Sequence, residues 1–230
     1  MKDVLLNCAY WGVFANCAGF LLGDFLMKKL KCPLFNPILV AAALVIAVLY
    51  FAGIDYDSYA ESASPLSYLL APATVALALP LYEQLEIVKK NGAAILVSIT
   101  SGLVAGMFGV LAIAFLFNLE HIQYVTILPK SITTPIGLSL SQELGGIEPI
   151  TVAIIVATGI FGNISAEWIC KTFKITDPIA KGLAIGNCSH VMGTTKAFEM
   201  GKVEGAMGSV AVLVAGIITV FAALVFAKLY

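Results

Sequence analysis

Long apolar runs alternate with short polar ones along this chain. Runs of bilayer length cover Val4–Leu22, Leu34–Ala52, Ala93–Phe117, Thr151–Ile169 and Gly208–Ala227. Each is near the roughly 20 residues a helix needs to cross a hydrocarbon core. Three further segments, Leu66–Leu85, Leu128–Leu144 and Pro178–Gly193, are apolar but interrupted. Pro72 and Pro80 break the first, Pro135 breaks the second with Gly145 and Gly146 directly after it, and Gly186 and Gly193 break the third. Non-helical backbone at membrane depth survives only where it is buried in protein or lines a wet cavity. The pattern predicts an all-α, polytopic integral membrane protein with about 7–8 hydrophobic segments, broken or re-entrant helices among them.

Composition strengthens that reading. Of 230 residues, 60% are hydrophobic and 12% charged, against about 25% charged in a soluble domain. Mean hydropathy is +0.97. The length fits a single transmembrane domain over residues 1–230. Val4–Leu22 reads as a retained first span, because no small-residue cleavage site follows a short apolar core. A net charge of −1 gives no basis for binding nucleic acid. All 13 basic residues are Lys, so bidentate guanidinium recognition of an anion is absent from this chain. The five Cys are scattered and read as reduced packing residues.

Lysines give an orientation. Lys28, Lys29 and Lys31, then Lys89 and Lys90, then Lys171 and Lys174 follow apolar segments. The positive-inside rule puts these clusters in the cytoplasm and the N-terminus outside. Lys171 is then cytoplasmic only if Leu128–Leu144 returns to its own side as a re-entrant hairpin. A shift of 59 residues places Thr74 on Thr133, Leu79 on Leu138 and Leu81 on Leu140. Internal repeats with broken helices are a usual construction of secondary transporters. A chance likeness between apolar segments explains the same matches.

The candidate chemistry lies in the interrupted segments. Leu128–Gly146 reads LPKSITTPIGLSLSQELGG. Lys130 beside Ser131, Thr133 and Thr134 supplies an ammonium and hydroxyls near a half-helix N-terminus, a setting suited to a small carboxylate. The competing reading has Lys130 snorkelling to the interface. In GNCSHVMGTT, Asn187, Ser189 and Thr194 surround His190, whose ordinary pKa of about 6.5 suits a coupling proton. A neutral histidine bonded to a neighbouring helix is the plain alternative. Glu199 is the fallback proton carrier, although KAFEMGKVEG reads more simply as a solvated loop with local ion pairs. His121 is placed in a loop. Thr74 joins the substrate-binding candidates through its place in the first interrupted segment. Phosphate loops, metal-ligand spacings and nucleophile elbows are lacking, so no enzyme activity, metal or cofactor is expected.

APATVALALPLYEQ, LPKSITTPIG, DPIAKGLAIG and SHVMGTTKAFEMGKVEGA, in that order over about the last two-thirds of the chain, resemble the LrgB/CidB family. The strings PKSxTTP and SHxxGTxxAxExGxxEGA are specific. Lys130, Ser131, Thr133, Thr134, Pro135, Ser189, His190, Gly193, Thr194, Glu199 and Glu204 match the family's motif positions. Glu83 stands where the family commonly has a basic residue, so no substrate role is carried over there. The resemblance implies two functional descriptions. One is transport of small monocarboxylates such as glycolate, glycerate or pyruvate. The other is an antiholin-like protein that modulates murein hydrolase export and autolysis beside a small LrgA/CidA-type partner.

The expectation is therefore a multi-pass protein of the cell (plasma) membrane, forming homo-oligomers. It carries a small carboxylate, with proton coupling at His190. The antiholin-like role is the alternative.

Overall fold

The computed structural model of the protein describes residues 10–30, 35–69, 72, 75–76, 82–83 and 85–230. These form ten helices and no strand. They are α1 (Trp11–Leu30), α2 (Pro37–Ala52), α3 (Tyr56–Tyr68), α4 (Leu85–Lys90) and α5 (Gly92–Phe117), followed by α6 (His121–Ile127), α7 (Thr134–Glu143), α8 (Glu148–Thr172), α9 (Pro178–Met200) and α10 (Lys202–Phe226). The chain divides into two compact units, Met1–Ala76 and Leu77–Tyr230.

In the first unit, small residues let helices approach closely. A Cβ on Gly19 would come 2.9 Å from Ala41 Cα, and one on Gly23 would come 2.6 Å from Pro37 Cα. Asn16 Nδ2 donates to the Tyr59 hydroxyl at 2.7 Å, tying α1 to α3. α1 runs to Leu30 and takes Lys28 and Lys29 into its last turn, beyond the end of the expected first span. A helix C-terminus favours cations, and Lys28 also pairs with Asp24 one turn earlier at 2.7 Å.

Among the described residues, three helices, α5, α8 and α10, are long and apolar enough to cross a membrane, and all lie in the second unit. α2 is apolar but shorter. On α5 the buried residues Ile95, Ile99, Leu103, Met107, Val110 and Ala114 recur every three or four positions. That spacing is one stripe of a 3.6-residue helix. Leu96, Val97, Phe108, Phe115 and Leu116 stay exposed on the remaining surface, as suits a hydrocarbon solvent. α10 meets α9 through glycine. A Cβ on Gly186 would come 2.8 Å from Gly208 Cα.

Several expectations are corrected. His121 is not in a loop but opens α6, because Glu120 caps that helix and its backbone N–H donates to Gln123 Oε1 at 2.9 Å. KAFEM is not a solvated loop but the last helical turns of α9. Its Lys196–Glu199 pair, 2.9 Å apart, has the i,i+3 spacing that stabilises a helix. Half of Leu66–Leu85, with Thr74 and Pro80, lies outside the described residues, and so does the proposed repeat partner of Thr133. Pro72 is described and exposed.

Candidate functional site

Pro129 and Lys130 occupy a tight turn between α6 and α7. Lys130 N donates to Ile127 O at 3.1 Å. Pro135 sits in the first turn of α7, where its missing N–H costs nothing. Gly145, with φ of 77°, makes the left-handed turn out of α7. Hydroxyls then pin this short-helix hairpin to α8. Ser141 Oγ lies 2.6 Å from Thr151 Oγ1, which donates to Thr126 O at 3.0 Å. Thr126 Oγ1 in turn accepts from Ile147 N at 2.9 Å. Gly146 packs against Ser141 and Thr126, with no room for a side chain.

α9 is a broken helix. Ser189 (φ −131°, ψ 17°) and His190 (φ 45°, ψ −142°) leave helical geometry inside it. Gly186 and Gly193, expected as the break points, bracket this kink and are themselves helical. The kink is seated on α8. Gly162 lies directly under Ser189, and a Cβ on Gly159 would come 2.6 Å from His190 Cε1. His190 Nε2 lies 3.0 Å from Ile155 O. A carbonyl only accepts, so Nε2 carries the hydrogen and Nδ1 is the position left to titrate. Thr194 Oγ1 donates to His190 O at 3.0 Å, and Asn163 Nδ2 donates to Met192 O at 2.9 Å.

The turn and the broken helix meet at one cavity of about 60 Å³. Lys130 and Ser131 line it from the turn, Asn187 and Cys188 from α9, Gly102 from α5 and Thr219 from α10. Lys130 Nζ donates to Ser131 Oγ at 2.9 Å. Thr133, Thr134, Ser189, Thr194 and His190 do not line the cavity, although they belong to the same two segments. Glu199 lies near the end of α9, exposed and paired with Lys196, which also reaches Glu167 on α8 at 3.2 Å. Among the described residues no cluster of His, Cys, Asp or Glu has the makings of a metal site.

Sequence reasoning missed Gly102, Cys188 and Thr219. Thr219 left a signal as an isolated hydroxyl in a long apolar run. Gly102 carries one in the small-residue spacing Gly102–Gly106, which reads equally as helix packing.

These features define an all-helical membrane protein with a small polar cavity where an interrupted segment meets a broken helix. The chain belongs to the LrgB-like family, which it matches over residues 17–229. It is 38% identical over 221 residues to the antiholin-like protein LrgB of Bacillus subtilis (strain 168), covering 96% of each chain. It is 35% identical over 212 residues to proteins of the same name from Bacillus cereus (strain B4264) and Bacillus anthracis (strain CDC 684 / NRRL 3495), covering 92% of each. No solved structure matches.

Proposed function

We propose that this chain is an antiholin-like, multi-pass protein of the cell membrane that modulates murein hydrolase export and autolysis. The observation that carries this reading is likeness to antiholin-like relatives along nearly the whole of both chains. Its partners are the lipid bilayer and a small holin-like protein of the LrgA/CidA type, and it acts without catalysis or a cofactor. The test is complementation. Expression in a bacterium lacking its own LrgB-type protein restores the normal rate of autolysis and the normal level of extracellular murein hydrolase. Unchanged lysis with the protein demonstrably in the membrane overturns the reading.

A second reading, transport of a small monocarboxylate, is favoured by one specific observation. The two interrupted segments converge on a cavity that holds Lys130. In this reading the ammonium contacts the carboxylate, Ser131, Thr133 and Thr134 supply hydroxyls along the path, and His190 carries a coupling proton at Nδ1. Uptake by purified protein in liposomes separates the two readings.

A further inference from the structure

α9 doubles back on itself. Ile185 and Ala197, both on α9, share one apolar cluster with Ala166 and Cys170, which lie one turn apart near the end of α8. In a straight helix Ile185 and Ala197 would stand roughly 18 Å apart. Gly182 packs on Glu204 O, and a Cβ on it would come 2.7 Å from Met207 Cβ, in the first two turns of α10. A straight α9 would put Gly182 roughly 27 Å from Met200, where the chain turns into α10. The two halves of α9 are therefore the arms of a hairpin, and Ser189 and His190 form its tip.

The two hairpins enter from opposite ends of α8. Ser141 and Thr126, one on each arm of the α6–α7 hairpin, bond to Thr151 and Ile147 at the start of α8. The arms of α9 pack near its end. The tips meet between these levels, at Ile155. A Cβ on Gly137, just past the first tip, would overlap Ile155 Cδ1, and His190 Nε2 in the second tip lies 3.0 Å from Ile155 O. Between the tips lies the cavity of Lys130 and Cys188, against Gly102, Gly106 and Val110 in the middle of α5. The Tyr124 hydroxyl donates to Phe226 O at 2.9 Å and the Tyr230 hydroxyl to Ala114 O at 3.2 Å. α5 and α10 thus end on the face where α6 begins.

We propose that the two hairpins are separate gates of this one cavity. The α6–α7 hairpin closes it toward the face bearing His121 and Lys228, and α9 closes it toward the face bearing Lys174 and Lys202. The bonds that hold the hairpins to α8 are independent. Hydroxyls seat α6–α7, whereas Asn163 with Met192 O and Glu167 with Lys196 seat α9. One hairpin is thus free to release while the other stays. The proposal deepens the second reading, in which a polar solute crosses at this cavity.

Side-specific thiol labelling of the full-length protein, in cells and in inside-out vesicles, provides the test. The probe is a small, membrane-impermeant, negatively charged methanethiosulfonate. In a cysteine-free background, Thr176→Cys and Lys202→Cys, which flank α9, react from one face, and His121→Cys and Lys228→Cys from the other. All four positions are exposed. Reaction of the first two from opposite faces makes α9 a crossing helix and overturns the proposal. With Cys188 as the only cysteine, the probe reaches it from either face. Oxidising a Ser141→Cys, Thr151→Cys pair ties α7 to α8. Labelling of Cys188 from the His121 face is then lost, and labelling from the Lys202 face persists. Loss from both faces, or from neither, overturns the separate gates. Where the pair does not form a disulfide, the unlocked protein decides, because access from one face alone also overturns them. Two-sided access without uptake of any monocarboxylate keeps the gates and removes monocarboxylate as the solute. One-sided access with sustained uptake overturns the gates and leaves the transport reading standing.

Discussion

Gly162 lies so close beneath Ser189 that a methyl group on its Cα would overlap the serine hydroxyl. Together with Gly159, three residues earlier and under the His190 ring, it forms a groove on α8 that receives the kink of α9. Gly162→Ala is therefore expected to destabilise the protein by about 1–3 kcal/mol through overpacking. Gly109→Ala on α5 is the control, because nothing lies within 4 Å of its added Cβ. Thermal unfolding of the two variants in the same detergent checks this. Equal midpoints would remove the groove as the seat of the kink.

His190 adopts a positive φ that L side chains rarely take. Such a residue carries strain of roughly 1–3 kcal/mol. In an ordinary helix interior alanine is more stable than glycine by about 1 kcal/mol. At position 190 the order should reverse. Both small variants lose the ring and its bond to Ile155 O, but only His190→Gly also loses the strain. We expect His190→Gly to unfold at a higher temperature than His190→Ala. The opposite order would mean that the kink straightens when the imidazole goes.

Much of this architecture is legible in the sequence, and the parts that are not share a cause. The stripe Ile95–Ile99–Leu103 announces α5, and Pro129, Lys130 and Pro135 announce a turn inside an apolar segment. Local chemistry suffices for both. The position of the break in α9 is not local. Gly186 and Gly193 look like hinge points, yet Gly186 serves close packing on Gly208, and Gly193 accommodates Ser189 and Ile185 O. The strain falls on a histidine instead, held there by α8, which is distant in sequence. Lys130 and Asn187 were readable as polar residues in apolar surroundings. That they line one cavity while Thr133 and Ser189 do not depends on how the elements stack.

The hydroxyl chain at the start of α8 should behave as one unit. Thr151 and Ser141 are both 0% exposed. Thr151→Val keeps the shape but leaves Ser141 without its acceptor and Thr126 O without its donor. A cost of about 1–3 kcal/mol is expected. Ser141→Ala in the Thr151→Val background should then cost less than it does alone, with a coupling of at least about 0.5 kcal/mol. A double-mutant cycle by denaturant unfolding measures it. Strictly additive costs would show that the two hydroxyls act independently.

Lys130 separates a binding role from an anchoring one, and arginine is the instrument. If Lys130 only snorkels to the interface, any long cationic side chain serves, and Lys130→Arg keeps wild-type behaviour. If its ammonium contacts an anion, the small cavity decides the outcome. A guanidinium is planar, broader and less compactly hydrated than an ammonium, and it fills space the ligand needs. Lys130→Ala is then expected to weaken binding of a small carboxylate at least ~10-fold, the loss of one charge-assisted contact. Lys130→Arg should recover little of it, while both variants still insert and fold. Ligand-dependent thermal stabilisation of the purified proteins gives the readout. Full recovery in Lys130→Arg would favour the snorkelling lysine and leave the cavity without its cation.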